Sequence, residues 1–402
     1  MRDPIINLEK VSIFQKKKLR DLIHFLDSNN KYFHDLFVRE ALDLNSGIEC
    51  FFSRIPLTDK NDIKKNYDNY ISKISEETTS ELTSGTTGTP LKCIKTLSER
   101  VLSGTYIWKE RLKWDPYVNK DNFLELLKEG FRKIGDFANF EKSNLVFCVN
   151  KLLDYSPRWI NGTITVIERM AKIIEAGLVD YKPGSIKFIE LMGEAVDEDK
   201  RIYIERVFGC KTINHYGTRE SWAIAYECSE KNMHVFNNLF LIEIVNQGII
   251  SDYPDIGEIV VTSLYNKSMP LIRYKVGDFG KITEKYCKCG NKSSIINLAG
   301  GRVNSFLKGN NDILGDLFFK RIVFKATKKD QQVIDRYLVE QTDINNFNLY
   351  IKKGPKYKNE TYDEIVKLTC EILGDKTKLT LFIVEDFPSM TSGKTTSFVR
   401  LC

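Results

Sequence analysis

The stretch IKFIELMGEAVDEDKRIYIERVFGCKTINHYGTRE, residues 186–220, contains a predicted strand, a helix and a second strand in immediate succession. IKFIELMG (186–193) and KTINHYG (211–217) are short apolar runs that end in turn residues, as buried strands do. The segment between them, DEDKRIYIERVFG (197–209), is predicted to be a helix. Strands that alternate with helices favour an α/β fold with a parallel sheet. Such sheets bind ligands at the carboxyl ends of their strands, where the turns containing GE and YGTRE fall here.

Other parts of the chain extend this pattern. NLVFCVN (144–150) is predicted to be a further buried strand and GTITVIERMAKIIEAG (162–177) a helix, and residues 1–50 have helical periodicity. From about residue 238 the runs LFLIEIVNQG, GEIVVTSLY and LIRYKVGDFGKIT predict an antiparallel sheet or barrel subdomain. The Gly-rich stretch LAGGRVNSFLKGNN (298–311) is typical of a linker, and the residues after it predict a small α+β domain.

Composition excludes several classes of protein. The 402 residues carry a formal net charge of only +6, which does not indicate a nucleic-acid partner. No apolar run reaches the roughly 18 residues of a membrane span, and the amino terminus lacks the pattern of a signal peptide. The nine cysteines are an odd number and mostly scattered, as in a reducing compartment. We therefore expect a cytoplasmic protein; the sequence leaves the oligomeric state, including a homodimer, open.

Two loops carry side chains suited to a nucleotide. SGTTGTP (84–90) combines glycines, hydroxyls and backbone amides that can bind phosphate oxygens, although an ordinary surface loop has the same composition. It lacks the spacing of a Walker P-loop. HYGTRE (215–220) places the ring of Tyr216 near the carboxylate of Glu220, which suits stacking on a flat ligand and Mg²⁺ binding. An ordinary strand-to-helix turn is the alternative.

Three further segments have similar alternatives. Asp278, in IRYKVGDFG (272–280), has the position either of a ribose-binding carboxylate or of a residue in a common hairpin turn. GGRVN (300–304) and TSGKTTSFVR (391–400) each place a cation in a Gly-flanked segment. Such a cation either neutralises a phosphate or is a solvated loop charge. None of these motifs identifies a function by itself.

Three cysteines and one histidine form a candidate metal set. Cys228 and His234 lie in YECSEKNMHVF, and Cys287 and Cys289 lie in YCKCGNKS. Three thiolates and one imidazole are a common tetrahedral zinc set, but C-x-C spacing is tighter than the usual C-x₂-C. Buried free cysteines with an unrelated histidine remain the alternative.

Together, and in this order, the motifs resemble those of the ANL superfamily of adenylate-forming enzymes. Within it they are most similar to the phenylacetate–CoA ligase-like branch, which includes coenzyme F390 synthetase-like and capsule-cluster proteins. RIPLTDKNDIKKNY (54–67) and LMGEAV (191–196) also have counterparts there, so the resemblance covers nearly the whole chain. Two departures stand out. Leu91 separates Pro90 from Lys92 in the first motif, and Asn304 and Ser305 occupy hinge positions that are usually acidic.

The resemblance implies a role for each motif. The residues implied to wrap the ATP phosphates are Ser84, Gly85, Thr86, Thr87 and Gly88. The residues implied to surround the nucleotide base are Gly193, Glu194, Ala195, His215, Tyr216 and Gly217, with Tyr216 stacking on the adenine. Asp278 and Arg302 are implied at the ribose, Thr218 at the α-phosphate and Glu220 at Mg²⁺, while Lys394 is the implied catalytic cation. The branch has a similar Cys/His arrangement, so Cys228, His234, Cys287 and Cys289 are implied to hold structural Zn²⁺.

The resemblance also implies an architecture and an activity. A large amino-terminal adenylation domain of layered sheets and helices (residues 1–301) and a small mobile α+β lid (302–402) are expected. The expected enzyme is an AMP-forming ligase that activates a small carboxylic acid with ATP, releases pyrophosphate and transfers the acyl group to a thiol such as CoA. An amine, sugar or carrier-protein acceptor is the alternative, and a non-catalytic nucleotide-binding protein is an alternative of another class. Trp159, His215 and Trp222 either line the acid pocket or fill the core.

Overall fold

The structure is a computed structural model, and it describes 11–43, 47–83, 90–126, 135–137, 139, 141–245, 256–302, 306–307, 310–328, 330, 332–385, 387 and 398–401. The helices within these ranges are α1 (Ile13–Asn29), α2 (Lys31–Arg39), α3 (Ile48–Ser53), α4 (Lys60–Lys65), α5 (Tyr67–Tyr70), α6 (Leu97–Trp114), α7 (Lys142–Tyr155), α8 (Ile164–Glu175), α9 (Glu198–Phe208), α10 (Gly315–Ala326) and α11 (Asn359–Leu373). None of them is both long and apolar enough to cross a membrane.

The strands within the described ranges form four sheets. Those up to the chain's middle are β1 (Thr78–Leu82), β2 (Lys92–Thr96), β3 (Phe123–Glu125), β4 (Trp159–Gly162), β5 (Phe188–Met192), β6 (Lys211–Thr218), β7 (Trp222–Glu227), β8 (Met233–Val235) and β9 (Phe240–Val245). The later ones are β10 (Gly257–Ser263), β11 (Tyr274–Thr283), β12 (Ile295–Arg302), β13 (Phe306–Leu307), β14 (Asn310–Leu314), β15 (Ile334–Asp343), β16 (Asn346–Lys353), β17 (Lys378–Ile383) and β18 (Phe398–Arg400).

One ten-stranded sheet organises the larger part of the molecule, in the order β3-β4-β5-β6-β7-β8-β12-β11-β10-β9. Strands β3 to β6 are parallel, as the strand–helix–strand pattern predicts. From β6 onward each neighbour is antiparallel, which agrees with the alternating runs after residue 238. The α/β expectation is confirmed, with the parallel and antiparallel parts fused into one sheet.

The predicted strand NLVFCVN is wrong, because these residues belong to α7. Leu145, Cys148, Val149 and Leu152 are its buried residues, and they follow the helical spacing i, i+3, i+4, i+7. The apolar run was too short to distinguish a strand from the buried face of a helix. The strand at this place in the sheet is β4, which follows the helix.

The Gly-rich stretch 298–311 is only partly a linker. Strand β12 continues through Arg302, and the hairpin β13-β14 follows it. Beyond the hairpin, a four-stranded sheet in the order β17-β16-β15-β18 packs with α10 and α11 around its own apolar core. This smaller unit has the α+β character that the sequence predicts. An ion pair between Lys320 Nζ and Asp197 Oδ2, 2.8 Å apart, connects it to the N-terminus of α9.

Candidate active site

The hairpin β1-β2 brackets the predicted phosphate loop. Thr83 closes the base of the loop, since its amide donates to Leu91 O at 2.9 Å and its Oγ1 accepts from Leu91 N at 2.8 Å. The same Oγ1 accepts from Lys60 Nζ at 2.8 Å. The predicted residues Ser84, Gly85, Thr86, Thr87 and Gly88 lie outside the described residues, as does the predicted catalytic Lys394.

Two of the predicted nucleotide residues are in direct contact. Tyr216, near the carboxyl end of β6, donates from its hydroxyl to Asp278 Oδ2 at 3.1 Å. Asp278 lies in β11, and the backbone of Arg302 in β12 is its partner across the ladder. The fold therefore assembles one aromatic ring, one carboxylate and the backbone of the predicted ribose cation from three strands distant in sequence.

The turn after Tyr216 depends on close backbone packing. A Cβ added at Gly217 would lie 1.8 Å from Trp222 O, so only glycine fits this place. A register shift between Tyr216 and Gly217 marks a bulge in the β6-β7 pairing. Thr218 Oγ1 accepts from Ser221 N at 3.1 Å and so braces the turn that carries Glu220.

Glu220 is a buried carboxylate with cationic neighbours. Glu220 is 7% exposed, and its Oε1 accepts from the Tyr274 hydroxyl at 3.4 Å. Lys60 Nζ lies 3.8 Å from the same oxygen. Burial raises the pKa of Tyr274 well above its ordinary value, and the Glu220 charge adds to that effect, so this hydroxyl remains a donor. Lys95, whose pKa is lowered by burial, donates to Glu220 O. The carboxylate is thus held at a position that already attracts a cation.

The predicted adenine-side loop follows β5. Gly193 has φ of +79°, a conformation that favours glycine. Glu194 Oε2 accepts from Thr165 N at 3.0 Å and thereby ties the loop to the first turn of α8, while Ala195 is exposed. In the sheet register Met192 pairs with His215, so the loop lies beside the carboxyl end of β6.

A buried polar network lies under His215, and the sequence motifs did not reveal it. Glu190 is fully buried and accepts from Arg111 Nε at 2.8 Å and Nη2 at 2.7 Å, from Asn161 Nδ2 at 2.7 Å and from the Tyr226 hydroxyl at 2.6 Å. The one available signal was a glutamate in the middle of an apolar strand. Such a charge is normally paired when buried.

The His215 side chain makes no hydrogen bond within the described part of the chain, although both ring nitrogens are buried. Its Nδ1 lies 3.5 Å from Glu190 Oε1 without hydrogen-bonding geometry. Trp159 is stacked between Phe123 and Phe188, at centroid distances of 4.0 and 5.2 Å, and fills the core. Trp222 packs against Arg100 and Lys95.

The four candidate metal ligands converge on one point. The ligand atoms of Cys228, His234, Cys287 and Cys289 all lie within 4.8 Å of one another. Cys228 Sγ and Cys287 Sγ are 3.7 Å apart, far longer than a disulfide, and Cys289 Sγ lies 3.3 Å from His234 Nε2. His234 Nδ1 is 3.1 Å from Ser293 O, which selects the tautomer with a proton on Nδ1 and leaves Nε2 facing the sulfurs.

The thiols of this cluster do not titrate alike. Burial raises the pKa of Cys228 to about 12. At Cys287 burial also raises the pKa, but hydrogen bonds donated to the sulfur, among them those from the Cys289 amide and the Asn232 side chain, lower the pKa to about 6. A thiolate is therefore stabilised within the cluster at neutral pH.

Known proteins share this chain's sequence pattern at low identity. No family model matches the chain. It is 23% identical to Protein CapK of Staphylococcus aureus over 412 residues, which covers 94% of this chain and 87% of that protein. It is also 23% identical to phenylacetate-coenzyme A ligase of Thermus thermophilus over 326 residues, covering 74% of this chain and 72% of that protein.

Solved structures share its fold. 2-Hydroxyisobutyryl-CoA ligase in complex with 2-HIB-AMP has a TM-score of 0.74 at 13% identity, covering 99% of this chain and 91% of that chain. o-Succinylbenzoate-CoA synthetase of Bacillus subtilis with its acyl-adenylate intermediate has a TM-score of 0.53 at 15% identity, covering 79% and 68%. GH3.15 acyl acid amido synthetase has a TM-score of 0.62 at 12% identity, covering 93% and 86%. The chain therefore shares the fold of these two CoA ligases and of the amido synthetase.

Proposed function

We propose that this protein is an ATP-dependent ligase that converts a small carboxylic acid to an acyl-adenylate and then transfers the acyl group to CoA. The observation that carries the proposal is the convergence of Tyr216 and Asp278 beside the β12 backbone of Arg302, in a fold shared with ligases bound to acyl-adenylates. A ring that stacks on adenine and a carboxylate that accepts from ribose hydroxyls are the groups that a nucleoside requires.

The first half-reaction explains the remaining residue types. A carboxylate oxygen of the acid attacks the α-phosphorus, the bond to the bridging oxygen of the β-phosphate breaks, and pyrophosphate leaves. Negative charge accumulates, so the site needs cations and hydrogen-bond donors that are already in place. We assign the phosphates to Ser84, Gly85, Thr86, Thr87, Gly88 and Thr218. Glu220, a buried carboxylate already next to an ammonium group, is suited to hold Mg²⁺, which supplies phosphate neutralisation when bound.

The second half-reaction has CoA as its proposed acceptor because two kinds of acyl-CoA ligase share the fold. The amine alternative has its own support, since an acyl acid amido synthetase is among the structural neighbours. Product analysis with CoA, amines and a carrier protein as competing acceptors distinguishes these possibilities. An amide product with no thioester would contradict CoA as the acceptor and would support amine ligation.

We further propose that residues 302–402 form a lid that rotates about the 300–304 segment. Closure would deliver Lys394 to the charge that develops on the acid and the α-phosphate. Delivery of a catalytic side chain by a moving domain is a common form of gating. The separate sheet β17-β16-β15-β18, with its own core, supports a unit able to move as one body.

The Cys228–His234–Cys287–Cys289 cluster is proposed to hold one structural Zn²⁺. Sulfurs bonded to zinc at about 2.3 Å in a tetrahedral site lie about 3.8 Å apart, close to the 3.7 Å separation of the Cys228 and Cys287 sulfurs. The bound ion would cross-link β8 to the loop between β11 and β12.

Elemental analysis after dialysis tests the zinc proposal. We expect about one equivalent per chain, lost in Cys287→Ser together with a lower midpoint of thermal unfolding. Cys50→Ser removes an exposed cysteine remote from the cluster in sequence and is the matched control. Less than half an equivalent in the parent protein, or full retention in Cys287→Ser, would contradict the proposal.

The adenylation proposal is tested by ATP–pyrophosphate exchange over a panel of aryl, alkyl and amino acids, with and without CoA. We expect at least one acid to support exchange without CoA. Thioester should form only when CoA is added. Nucleotide binding with no exchange on any acid would instead favour the non-catalytic alternative.

A further inference from the structure

We propose that Lys60 is a phosphate-binding residue, which contacts the β- and γ-phosphates of ATP and the pyrophosphate that leaves. This inference rests on the proposed function and adds to it a cation that none of the sequence motifs assigned. The phosphate loop resembles one that has a lysine directly after its proline, whereas here Leu91 takes that place. The structure indicates where the missing charge comes from.

Lys60 connects two parts of the proposed phosphate site. Its Nζ donates to Thr83 Oγ1 at 2.8 Å, at the base of the loop, and lies 3.8 Å from Glu220 Oε1, the proposed magnesium ligand. The Lys60 side chain is 27% exposed and is therefore partly accessible to solvent. A cation at this point adjoins both Thr83 and the Glu220 carboxylate, which is the proposed ligand of the Mg²⁺ of Mg–ATP.

The position of Lys60 is set by long-range pairing. Thr58, two residues earlier, donates from its amide to Arg273 O at 2.9 Å and accepts from Lys275 N at 2.8 Å. Asp59 then caps α4 by accepting from Asn61 N and Asp62 N, which starts the helix at Lys60. The segment is therefore fastened to the start of β11, and the lysine is held in place before any nucleotide binds.

Lys92, the lysine nearest the loop in sequence, does not occupy this place. It begins β2 with an exposed side chain, while the next residue, Cys93, is buried. Alternation along the strand therefore turns the Lys92 side chain away from the face that Cys93 buries. Its carbonyl accepts from the Tyr67 hydroxyl at 2.8 Å, which suits a backbone role.

Charge balance supports phosphate binding over a purely structural role. In the nucleotide-free protein the ammonium group partly compensates the buried Glu220 carboxylate. With a cation also bound at Glu220, Lys60 would be free to pair with phosphate oxygens, and a lysine with flexible methylenes can make that short move. A lysine serving only Thr83 could be replaced by a neutral donor without loss of nucleotide affinity.

The test compares Lys60→Met, Lys60→Arg and Lys65→Met, the last being an exposed lysine of the same helix. Calorimetry measures binding of Mg–ATP and of AMP, which lacks the β- and γ-phosphates. We expect Lys60→Met to weaken the binding of Mg–ATP by about tenfold to a hundredfold and the binding of AMP by less than about twofold. Lys60→Arg should recover most of the affinity, and Lys65→Met should match the parent protein.

Exchange kinetics supply a second readout. Lys60→Met should raise the KM for pyrophosphate by a similar factor and leave the KM for the acid within about twofold. Equal weakening of ATP and AMP, or unchanged affinity for both, would overturn the proposal. If the parent protein shows no ATP–pyrophosphate exchange, that result contradicts the ligase function only. The comparison of ATP and AMP affinities still tests the role of Lys60.

Discussion

At the scale of single residues, Tyr216 and Asp278 illustrate how the proposed site depends on one hydrogen bond. The tyrosine ring is buried within the core cluster of the large sheet, and its hydroxyl meets the carboxylate at 3.1 Å. The buried ring thus has its polar end on the Asp278 carboxylate, which the hydrogen bond helps to orient.

Tyr216→Phe removes this hydrogen bond and keeps the ring. Hydrogen bonds to charged groups contribute about 1.5–3 kcal/mol, and the carboxylate retains access to other donors, so we expect the KM for ATP to rise by about three- to tenfold. Calorimetry with AMP should show the same factor, because the ribose and base are common to both ligands. Tyr286→Phe, at an exposed tyrosine, is the control. A change for ATP alone would place Tyr216 at the phosphates and contradict its assignment.

At the scale of secondary-structure elements, β6 presents side chains to both faces of the sheet. Successive side chains of a strand point to opposite faces, so Tyr216 meets Asp278 while His215 meets the network around Glu190. The bulge between Tyr216 and Gly217 shifts the register, after which Thr218 pairs with Trp222. The turn between these two paired residues carries Glu220.

The ion pair between Arg111 of α6 and Glu190 of β5 fastens a helix to the parallel strands. Both side chains are buried, at 10% and 0% exposure, and the guanidinium lies over Trp159. Burial alone would raise the pKa of Glu190, but the charge and hydrogen bonds of Arg111 outweigh it and hold the pKa well below its ordinary value. The carboxylate thus remains ionised throughout the neutral range.

Glu190→Gln should destabilise the fold by about 3–5 kcal/mol at pH 7, because it leaves a buried guanidinium without its counter-charge. Because the folded-state pKa is depressed, the stabilisation is fully present above the unfolded pKa of about 4.3 and is lost as pH falls through the folded value. The difference between parent and variant should therefore persist at pH 5 and shrink only in stronger acid. Urea unfolding followed by tryptophan fluorescence measures it.

Two controls accompany this prediction. Glu175→Gln removes one partner of an exposed pair with Arg206 and should leave the urea midpoint unchanged. The double variant Arg111→Met, Glu190→Gln should be more stable than Glu190→Gln alone, since it removes the unpaired charge as well. A difference that grew between pH 7 and pH 5 would be inconsistent with a depressed pKa at Glu190.

At the scale of the whole molecule, the proposed reaction depends on two units meeting. The proposed nucleoside-binding residues Tyr216 and Asp278 lie on the ten-stranded sheet, whereas Lys394 follows β17 in the sequence. The Lys320–Asp197 ion pair bridges the units, but its side chains are 57% and 27% exposed, so it contributes little stability and would not prevent the proposed rotation.

Lys394→Ala should reduce acid-dependent exchange by about 10²–10³-fold, since it removes a cation that acts on charge developing in the transition state. Binding of ATP, measured by calorimetry, should change by less than about twofold because the lysine arrives only on closure. Lys376→Ala, an exposed lysine of the same unit, should leave both quantities unchanged. Undiminished exchange in Lys394→Ala would refute the lid mechanism.

The sequence by itself determined the α/β class, the order of the proposed nucleotide-binding motifs and the likeness to adenylate-forming enzymes. These follow from local features: short apolar strands, helical spacing, and glycines such as Gly193 and Gly217 that few other residues can replace. The strand predicted at residues 144–150 was wrong, because a short apolar run is compatible with both a buried strand and the buried face of a helix. The sequence also did not reveal that the parallel and antiparallel strands form one sheet.

Only the tertiary structure decided which distant residues meet. The contacts Tyr216–Asp278, Arg111–Glu190 and Lys60–Glu220 join residues 62, 79 and 160 positions apart, so no local pattern encodes them. The four Cys/His residues are likewise scattered in the sequence, but the fold brings their ligand atoms within 4.8 Å of one another. Charge complementarity and hydrogen bonding act over a few ångströms in space, and the pairing of strands brings these groups within that range.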